Sequence, residues 1–177
     1  MNNLKNNNEK LIEELNDMIN KNKISEIYKF SFSNFYNYNS EKYIGEMKNG
    51  LKEGKGILYY EKDNKYQREK YEGNFKNDKP DGKGIMYWNS GSRYEGDWKS
   101  DIKEGKGKYY VNNGNIYEGD FKNGVSEGKG IYYWKAGHRY EGNFKNDKRE
   151  GKGIMLYNNG KIEEGFWKNG EYIGKSY

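Results

Sequence analysis

The sequence predicts an all-β fold: an elongated single twisted antiparallel sheet of stacked β-hairpins, with a short N-terminal α-helix. The first observation is a fixed period. The stretch Tyr94–Lys99 (Tyr-Glu-Gly-Asp-Trp-Lys) returns 23 residues later from Tyr117, and after another 23 residues from Tyr140. The second is that aromatic residues and glycine alternate with charged residues in each copy, which is the period of a strand with one apolar face. A fixed period of this length is typical of a repeat protein built from one stacked unit.

Each repeat reads Tyr-x-Gly-x-aromatic-Lys, then a short variable loop, then Gly-Lys-Gly and an apolar run. A sixth, partial unit has Glu163 in the tyrosine position. The first unit is five residues longer than the others, and we expect the additional residues around 62–70. The predicted repeat starts are residues 43, 71, 94, 117, 140 and 163.

Charged residues on both sides of the variable loop predict the register of each hairpin. Pairing Lys99 with Glu104 places Gly96 opposite Gly107. Opposite charges that face each other across strands contribute about 0.2–1 kcal/mol each, enough to favour one register. The equivalent predicted pairs are Lys48–Glu53, Lys76–Asp81, Lys122–Glu127 and Lys145–Glu150. A second predicted set lies two residues further from the turn and comprises Asp97–Lys106, Asp120–Lys129 and Glu46–Lys55.

The paired glycines lie on the same face of the predicted sheet as the tyrosines and tryptophans. A glycine weakens a strand unless another group must approach the backbone closely. We therefore expect the glycine rows to leave room for aromatic rings, which bury large areas and gain further from edge contacts. The predicted sheet is covered by its own aromatic side chains.

The motif in residues 94–99, followed by Glu-Gly-Lys-Gly-Lys-Tyr-Tyr in residues 104–110, resembles the MORN repeat (membrane occupation and recognition nexus). The resemblance covers residues 43–177. It implies an elongated sheet of successive hairpins and a scaffolding role, often in cytoskeletal or ciliary assemblies or at membranes. Some relatives join the repeats to a lipid kinase or methyltransferase domain, for which almost no sequence remains outside the array.

The N-terminal residues divide into two segments. Residues 1–28 form a predicted tail with a helix of about residues 8–21, and one apolar stripe on this helix comprises Leu11, Ile12, Leu15, Met18 and Ile19. A helix this short needs a packing partner. Three alternatives are a cap on the sheet, a docking helix for a partner, and a disordered tail. Residues 29–42 resemble half a repeat, and we expect them to form a strand that covers the first edge of the sheet.

Composition predicts a soluble, intracellular protein. The chain has no cysteine, which fits a reducing compartment, and no apolar segment of about 20 residues that would span a membrane. Its net charge of +5 is spread along the repeats, and most lysines have an acidic residue opposite them. We interpret this charge as solvated structural charge. The alternative is an anionic lipid patch, for which Lys145–Lys152 is the densest candidate although acidic residues interrupt it.

The sequence predicts no catalytic, cofactor-binding or metal-binding residue. The single histidine, His138, lies in a turn without a nucleophile or a metal ligand to accompany it. Gly-Lys-Gly lies within a predicted strand and opens no helix, unlike a phosphate-binding loop. The aromatic rows could stack on nucleic-acid bases, but the neighbouring rows of charged residues are half acidic. This pattern favours packing of the aromatic rings within the protein over nucleic-acid binding.

We therefore predict a non-catalytic structural or adaptor protein, cytoplasmic and part of a cytoskeletal or ciliary (axonemal) assembly. The alternative is a peripheral protein that associates with membrane phosphoinositides. Partners are expected to be proteins, with a helical segment docked on the aromatic face. The predicted contacts on that face are Tyr71, Phe75, Tyr94, Trp98, Tyr117, Phe121, Tyr140, Phe144 and Trp167.

Overall fold

All described strands belong to one antiparallel sheet in which each strand pairs with the strands before and after it in sequence. The structure is a computed structural model, and it describes residues 37–38 and 41–175. The single sheet confirms the predicted fold class. The predicted helix of residues 8–21 lies outside the described residues. The strands are β1 (Asn37–Tyr38), β2 (Glu41–Lys48), β3 (Leu51–Tyr59), β4 (Arg68–Lys76), β5 (Lys79–Trp88), β6 (Arg93–Lys99), β7 (Ile102–Tyr110), β8 (Ile116–Lys122), β9 (Val125–Tyr133), β10 (Arg139–Lys145), β11 (Lys148–Leu156), β12 (Ile162–Lys168) and β13 (Glu171–Gly174).

The first edge of the described sheet is the two-residue strand β1. Asn37 pairs with Lys42, and Tyr38 pairs with Glu41, in an antiparallel ladder. The predicted half-repeat strand is thus present over these two residues, while residues 29–36 lie outside the described part of the chain. The five-residue insertion falls in the loop of residues 60–67, so the end of the predicted range belongs to β4.

Two-residue turns close the hairpins. In the turn between β6 and β7, Ser100 has φ 47° and Asp101 has φ 70°. Positive φ at both central residues is the type I′ geometry, whose twist matches that of paired strands. Asn, Asp and Gly occupy the corresponding positions in the other two-residue turns, because these residues reach positive φ at the lowest cost.

A β-bulge follows each turn and changes the predicted register. Gly96 does pair with Gly107, as predicted, but Asp97 pairs with Glu104 and Lys99 pairs with Ile102. The predicted Lys99–Glu104 pair is therefore wrong. Its counterparts are wrong for the same reason, because Lys48, Lys76, Lys122 and Lys145 face Leu51, Lys79, Val125 and Lys148 respectively. The bulge is built around Gly105, whose φ of 66° suits glycine.

The acidic residues that were expected to pair with those lysines instead join neighbouring repeats. A Glu104 carboxylate oxygen accepts a hydrogen bond from the backbone N–H of Asn123 at 3.0 Å, in the next turn along the sheet. Glu127 accepts the equivalent bond from Asn146 at 3.0 Å. A hydrogen bond to a charged group contributes about 1.5–3 kcal/mol, less where water competes for it. These bonds link the turns of successive hairpins.

In three repeats, an acidic residue inside the tyrosine motif stabilises the bulge. A carboxylate oxygen of Asp97 accepts a hydrogen bond from the backbone N–H of Lys106 at 3.0 Å. Asp120 accepts the equivalent bond from Lys129 at 2.9 Å. The predicted charge pairs between these residues are therefore not formed: the donor is the backbone, and the Lys106 ammonium group pairs with Asp120 instead. The backbone donor that the bulge removes from the ladder is satisfied in this way.

Buried phenols make the fold sensitive to high pH. Burial raises the pKa of Tyr140 to about 12, partly opposed by Arg149, and it raises the pKa of Tyr94 and Tyr117 further. The unfolded chain releases these protons near pH 10, whereas the folded sheet retains them. We expect the free energy of unfolding to fall as the pH rises from about 10 to 12. Urea denaturation at stepped pH measures it, and a constant value across this window would contradict the expectation.

Candidate interaction surface

The nine aromatic residues predicted as partner contacts do lie on one face of the sheet, but that face is the core. All nine belong to one cluster of buried side chains with relative exposures of 0–5%. The prediction that they form an exposed groove is therefore corrected by the structure. We call this side of the sheet the core face.

Each core tyrosine lies flat over a pair of glycines. The Tyr94 ring covers Gly96 and Gly107, where an added Cβ would lie 2.5 Å and 2.3 Å from the Tyr94 Oη. The same hydroxyl donates a hydrogen bond to the backbone oxygen of Asp97 at 3.1 Å. The glycine rows thus leave room for rings, as the sequence predicted, and the rings close over the backbone rather than projecting into solvent.

Neighbouring repeats are joined by edge-to-face ring contacts. The Tyr94 centroid lies 5.1 Å from that of Trp98 in its own repeat and 4.8 Å from that of Phe121 in the next. Tyr117 repeats the arrangement with Phe121 at 5.1 Å and Phe144 at 4.9 Å. Such pairs contribute about 0.5–1.5 kcal/mol beyond the area they bury. The rings predicted to bind a partner therefore stabilise the stack of hairpins.

The opposite side of the sheet, which we call the groove face, carries three rows of half-buried or exposed side chains. The tyrosine row comprises Tyr59, Tyr87, Tyr110 and Tyr133. The isoleucine row comprises Ile57, Ile85, Ile131 and Ile154, with Lys108 in the remaining repeat. The lysine row comprises the central residues of the Gly-Lys-Gly motifs, Lys55, Lys83, Lys106, Lys129 and Lys152, all exposed.

Basic side chains lie between the tyrosines of the tyrosine row. Register pairing places Lys70 beside Tyr87, with the ammonium nitrogen 4.6 Å from the ring centroid. Arg93 lies 3.8 Å from the Tyr110 centroid. Each cation also contacts the glutamate two residues later; the Lys70–Glu72 distance is 2.6 Å, and this hydrogen bond raises the pKa of Lys70. Each exposed pair contributes little, but together they hold the rings in position.

The lysine row is neutralised in the middle of the sheet and not towards β13. Lys83 and Lys106 form ion pairs with Asp97 and Asp120 at 2.7 and 2.5 Å. Lys129 faces Asn143 across the ladder, and Lys152 faces Phe166. Among the described residues, no carboxylate oxygen lies within 4.0 Å of the ammonium nitrogen of Lys129 or Lys152, although the backbone N–H of Lys129 donates to Asp120 and the Lys152 ammonium lies 5.7 Å from the Phe166 ring centroid. Two exposed ammonium groups therefore remain available at this end of the groove face.

A depression runs across the strands at this end of the groove face, with a volume of about 1060 Å³. Its lining combines apolar side chains such as Ile131, Ile154 and Phe166 with Lys129 and Lys152. A shallow surface with apolar and charged rows suits an elongated ligand better than a compact one.

Sequence reasoning missed the tyrosine row because four of the five apolar runs contain two or more adjacent aromatic residues. In Tyr132-Tyr133, successive side chains point to opposite faces. Tyr132 packs against the core, whereas Tyr133 lies in the tyrosine row. The position of each residue relative to the paired glycines carries the signal, since Tyr132 shares their face and Tyr133 does not.

His138 joins successive turns. Its Nδ1 accepts a hydrogen bond from the backbone N–H of Asn158 at 3.0 Å, and its ring lies 5.6 Å from that of Tyr157.

Within the described part of the chain, no group of three or more His, Asp or Glu side chains is placed to hold a metal ion. No helix in that part is long and apolar enough to cross a bilayer.

Comparison with known proteins identifies the repeats. The family model described as the MORN repeat matches five times, at residues 43–65, 71–93, 94–116, 117–139 and 140–162. No curated protein sequence matches the chain. Among solved structures, the chain is similar to the SAS-4 (dCPAP) TCP domain of Drosophila melanogaster, solved in complex with a proline-rich motif of Ana2 (dSTIL). That similarity has 17% identity, covers 65% of this chain and 61% of that chain, and has a TM-score of 0.42, too low to support a functional statement.

Proposed function

Because the chain belongs to the MORN-repeat family, we propose that it is a non-catalytic adaptor that binds other proteins along its groove face. The observation that supports this proposal most is the difference in exposure between the two faces. The core face buries its aromatic rows, whereas the groove face repeats the same half-exposed tyrosine, isoleucine and lysine positions along the sheet. An extended surface of repeated contacts is the usual binding device of repeat proteins.

We further propose that this adaptor works in the cytoplasm, within a cytoskeletal or ciliary (axonemal) assembly. The support is the resemblance of residues 43–177 to MORN repeats, which often serve as scaffolds in such assemblies. An elongated sheet suits this role because its repeats offer several contacts to a filamentous or multi-subunit partner.

Association with phosphoinositide-containing membranes is a second candidate, favoured by one observation. Lys129 and Lys152 are exposed, and their ammonium groups form no ion pair with a described residue, so both can face an anionic headgroup. Glutamates interrupt the lysines that line the same depression, including Glu118, Glu141 and Glu164, whereas anionic lipid sites usually need about 4–8 basic residues close together. We therefore rank protein binding first.

A groove-face variant separates the two candidates. We expect the double substitution Tyr110→Ala with Lys129→Glu to abolish the capture of specific partner proteins in quantitative affinity purification from native cells, including the detergent-insoluble fraction. The double variant should remain folded, because both side chains lie off the core face. Its matched control is Tyr66→Ala with Lys122→Glu, which changes an exposed loop tyrosine and a turn-flanking lysine.

Two outcomes would contradict the proposal. Partners retained equally by both variants would place the contact outside the groove face. Flotation of the wild-type protein with phosphoinositide vesicles, lost in the double variant and accompanied by no variant-dependent protein partner, would favour the membrane candidate.

A further inference from the structure

We propose that the groove face binds a peptide in the polyproline II conformation, with proline or another apolar residue at every third position and acidic residues facing the lysine row. This inference rests on the proposed protein-binding function and names the conformation and chemistry of the partner segment. It follows from the spacing of the tyrosine row, from the hydrogen-bonding state of its hydroxyls and from the charge beside it.

The tyrosine row is continuous in register. Tyr59 pairs with Lys70, which pairs with Tyr87, and the sequence of pairs continues through Arg93, Tyr110 and Ile116 to Tyr133. The nearest register shift lies between Arg68 and Lys70, next to the Lys70–Tyr87 pair, and the pairs themselves remain continuous across the sheet. Successive tyrosines are therefore two strands apart, which corresponds to about 9.6 Å at the usual strand spacing.

This spacing distinguishes the possible peptide conformations. A polyproline II helix has three residues per turn and advances about 9.3 Å, so every third residue meets the next tyrosine with a mismatch of about 0.3 Å. An extended strand covers a similar distance in three residues, but its side chains alternate and every second contact faces away. An α-helix returns to the same face after about seven residues and 10.5 Å, so its mismatch grows to roughly 2.7 Å over three intervals.

The hydroxyl groups favour the same conformation. Tyr87 and Tyr133 make no hydroxyl hydrogen bond with another described residue, whereas the core tyrosines all donate to the backbone. A polyproline II peptide has no internal hydrogen bonds, so its carbonyl groups accept bonds from such donors. An α-helix satisfies its own carbonyls. Rows of aromatic rings also form the grooves that bind proline-rich segments in other domains.

The charge pattern predicts an acidic residue at one of the two remaining positions of each triplet. The lysine row lies four residues from the tyrosine row along each strand, as Lys129 and Tyr133 show in β9. In a polyproline II helix, the three residues of a turn point in three directions. When one direction faces the tyrosines, another faces the lysine row, where Lys129 and Lys152 lack carboxylate partners. Acidic residues at that position complement both ammonium groups.

Peptides of different period test the proposal directly. The probes are fluorescein-labelled (Pro-Ala-Glu)₄ and (Pro-Glu-Ala)₄, which place the acid on either side, with the period-four peptide (Pro-Ala-Ala-Glu)₃ and a heptad-patterned acidic helix as controls. Anisotropy titrations with the full chain should show one period-three peptide binding at least tenfold more tightly than both controls. Equal affinity across periods, or preference for the helical peptide, would overturn the proposal.

Variants of the chain locate the binding site. Tyr87→Ala and Tyr133→Ala should each weaken binding of the period-three peptide about tenfold, and Tyr87→Phe should weaken it less, because only the hydroxyl is lost. Tyr66→Ala changes a tyrosine that is 62% exposed and lies outside the row, so its affinity should equal that of the wild type. Unchanged affinity in both alanine variants, with wild-type melting temperatures, would contradict the assigned site.

Failure of this inference is distinguishable from failure of the proposed function. If native partners depend on the groove face while no period-three peptide binds, the groove is an interaction surface for a different conformation. If the native partners do not depend on the groove face, the proposed function itself is wrong.

Discussion

Substituting Gly119 with alanine is expected to destabilise the sheet by about 3 kcal/mol, the upper end of the usual overpacking cost. An added Cβ would lie 2.5 Å from the Cα of Gly130 and 2.5 Å from the backbone oxygen of Lys129, distances that real Cβ atoms do not occupy. It would also lie 2.6 Å from the Tyr117 hydroxyl. Because two of these contacts are backbone atoms of the paired strand, the strands must separate or the tyrosine must leave its position.

Two matched variants isolate this steric cost in urea denaturation. Glu118→Ala changes the exposed neighbour and should alter the free energy of unfolding by less than about 0.5 kcal/mol. Gly50→Ala tests backbone strain alone, since Gly50 has φ 78° and no atom within 4 Å of an added Cβ. It should cost about 1 kcal/mol. Equal effects at Gly119 and Glu118 would show that the glycine row is not packed beneath the rings.

The sequence was sufficient to predict the architecture because each local pattern agrees with the whole. The 23-residue period, the alternation within residues 94–99 and the turn residues all indicate hairpins stacked in one sheet. Five family matches begin at the residues where the repeats were predicted to start. Gly96 opposite Gly107 was also predicted, because that pair lies on the far side of the bulge from the turn.

The local register near the turns was not predictable from charge. Lys99 and Glu104 have the right spacing for a pair across a four-residue loop, but the chain makes a two-residue turn and a bulge instead. Glycine at 105 permits the bulge, and Asp97 satisfies the donor that it exposes. These gains outweigh an exposed ion pair, whose contribution is about 0.2–1 kcal/mol.

The exposure of the predicted contact residues was wrong, for a physical reason. Both faces of the predicted sheet contain aromatic residues. The sequence does not predict whether an aromatic ring projects from the sheet or lies flat over it. Glycine on both sides of the hairpin lets the Tyr94 ring lie flat and bury itself, so the most regular aromatic row becomes core. Tyr110 has no such glycine pair on its own face, and its ring stays half-exposed beside Arg93.

Truncation of a core-face tyrosine and truncation of a residue in the tyrosine row should therefore have opposite effects on stability and on partner binding. Tyr94→Ala is expected to cost about 3–5 kcal/mol, as for other buried aromatic residues. It removes a fully buried ring that contacts Trp98 in its own repeat and Phe121 in the next, and it leaves a void above Gly96. At about 2–4 °C per kcal/mol for a chain of this size, the melting temperature should fall by roughly 6–20 °C in calorimetry.

Tyr110→Ala is the matched control, because it truncates the same residue type on the other face of the sheet. It removes the contact with Arg93 and should cost less than about 1 kcal/mol, the usual contribution of an exposed cation–π pair. Partner binding should show the reverse order once both proteins are measured below their melting temperatures: Tyr110→Ala weakens it, while any Tyr94→Ala protein that remains folded retains it. The opposite outcome would place the binding site on the core face. In that outcome a folded Tyr94→Ala protein loses its partner, whereas the Tyr110→Ala protein retains it. That outcome would require the buried rings to open in the complex, because at exposures of 0–5% they offer a partner almost no surface in the free protein.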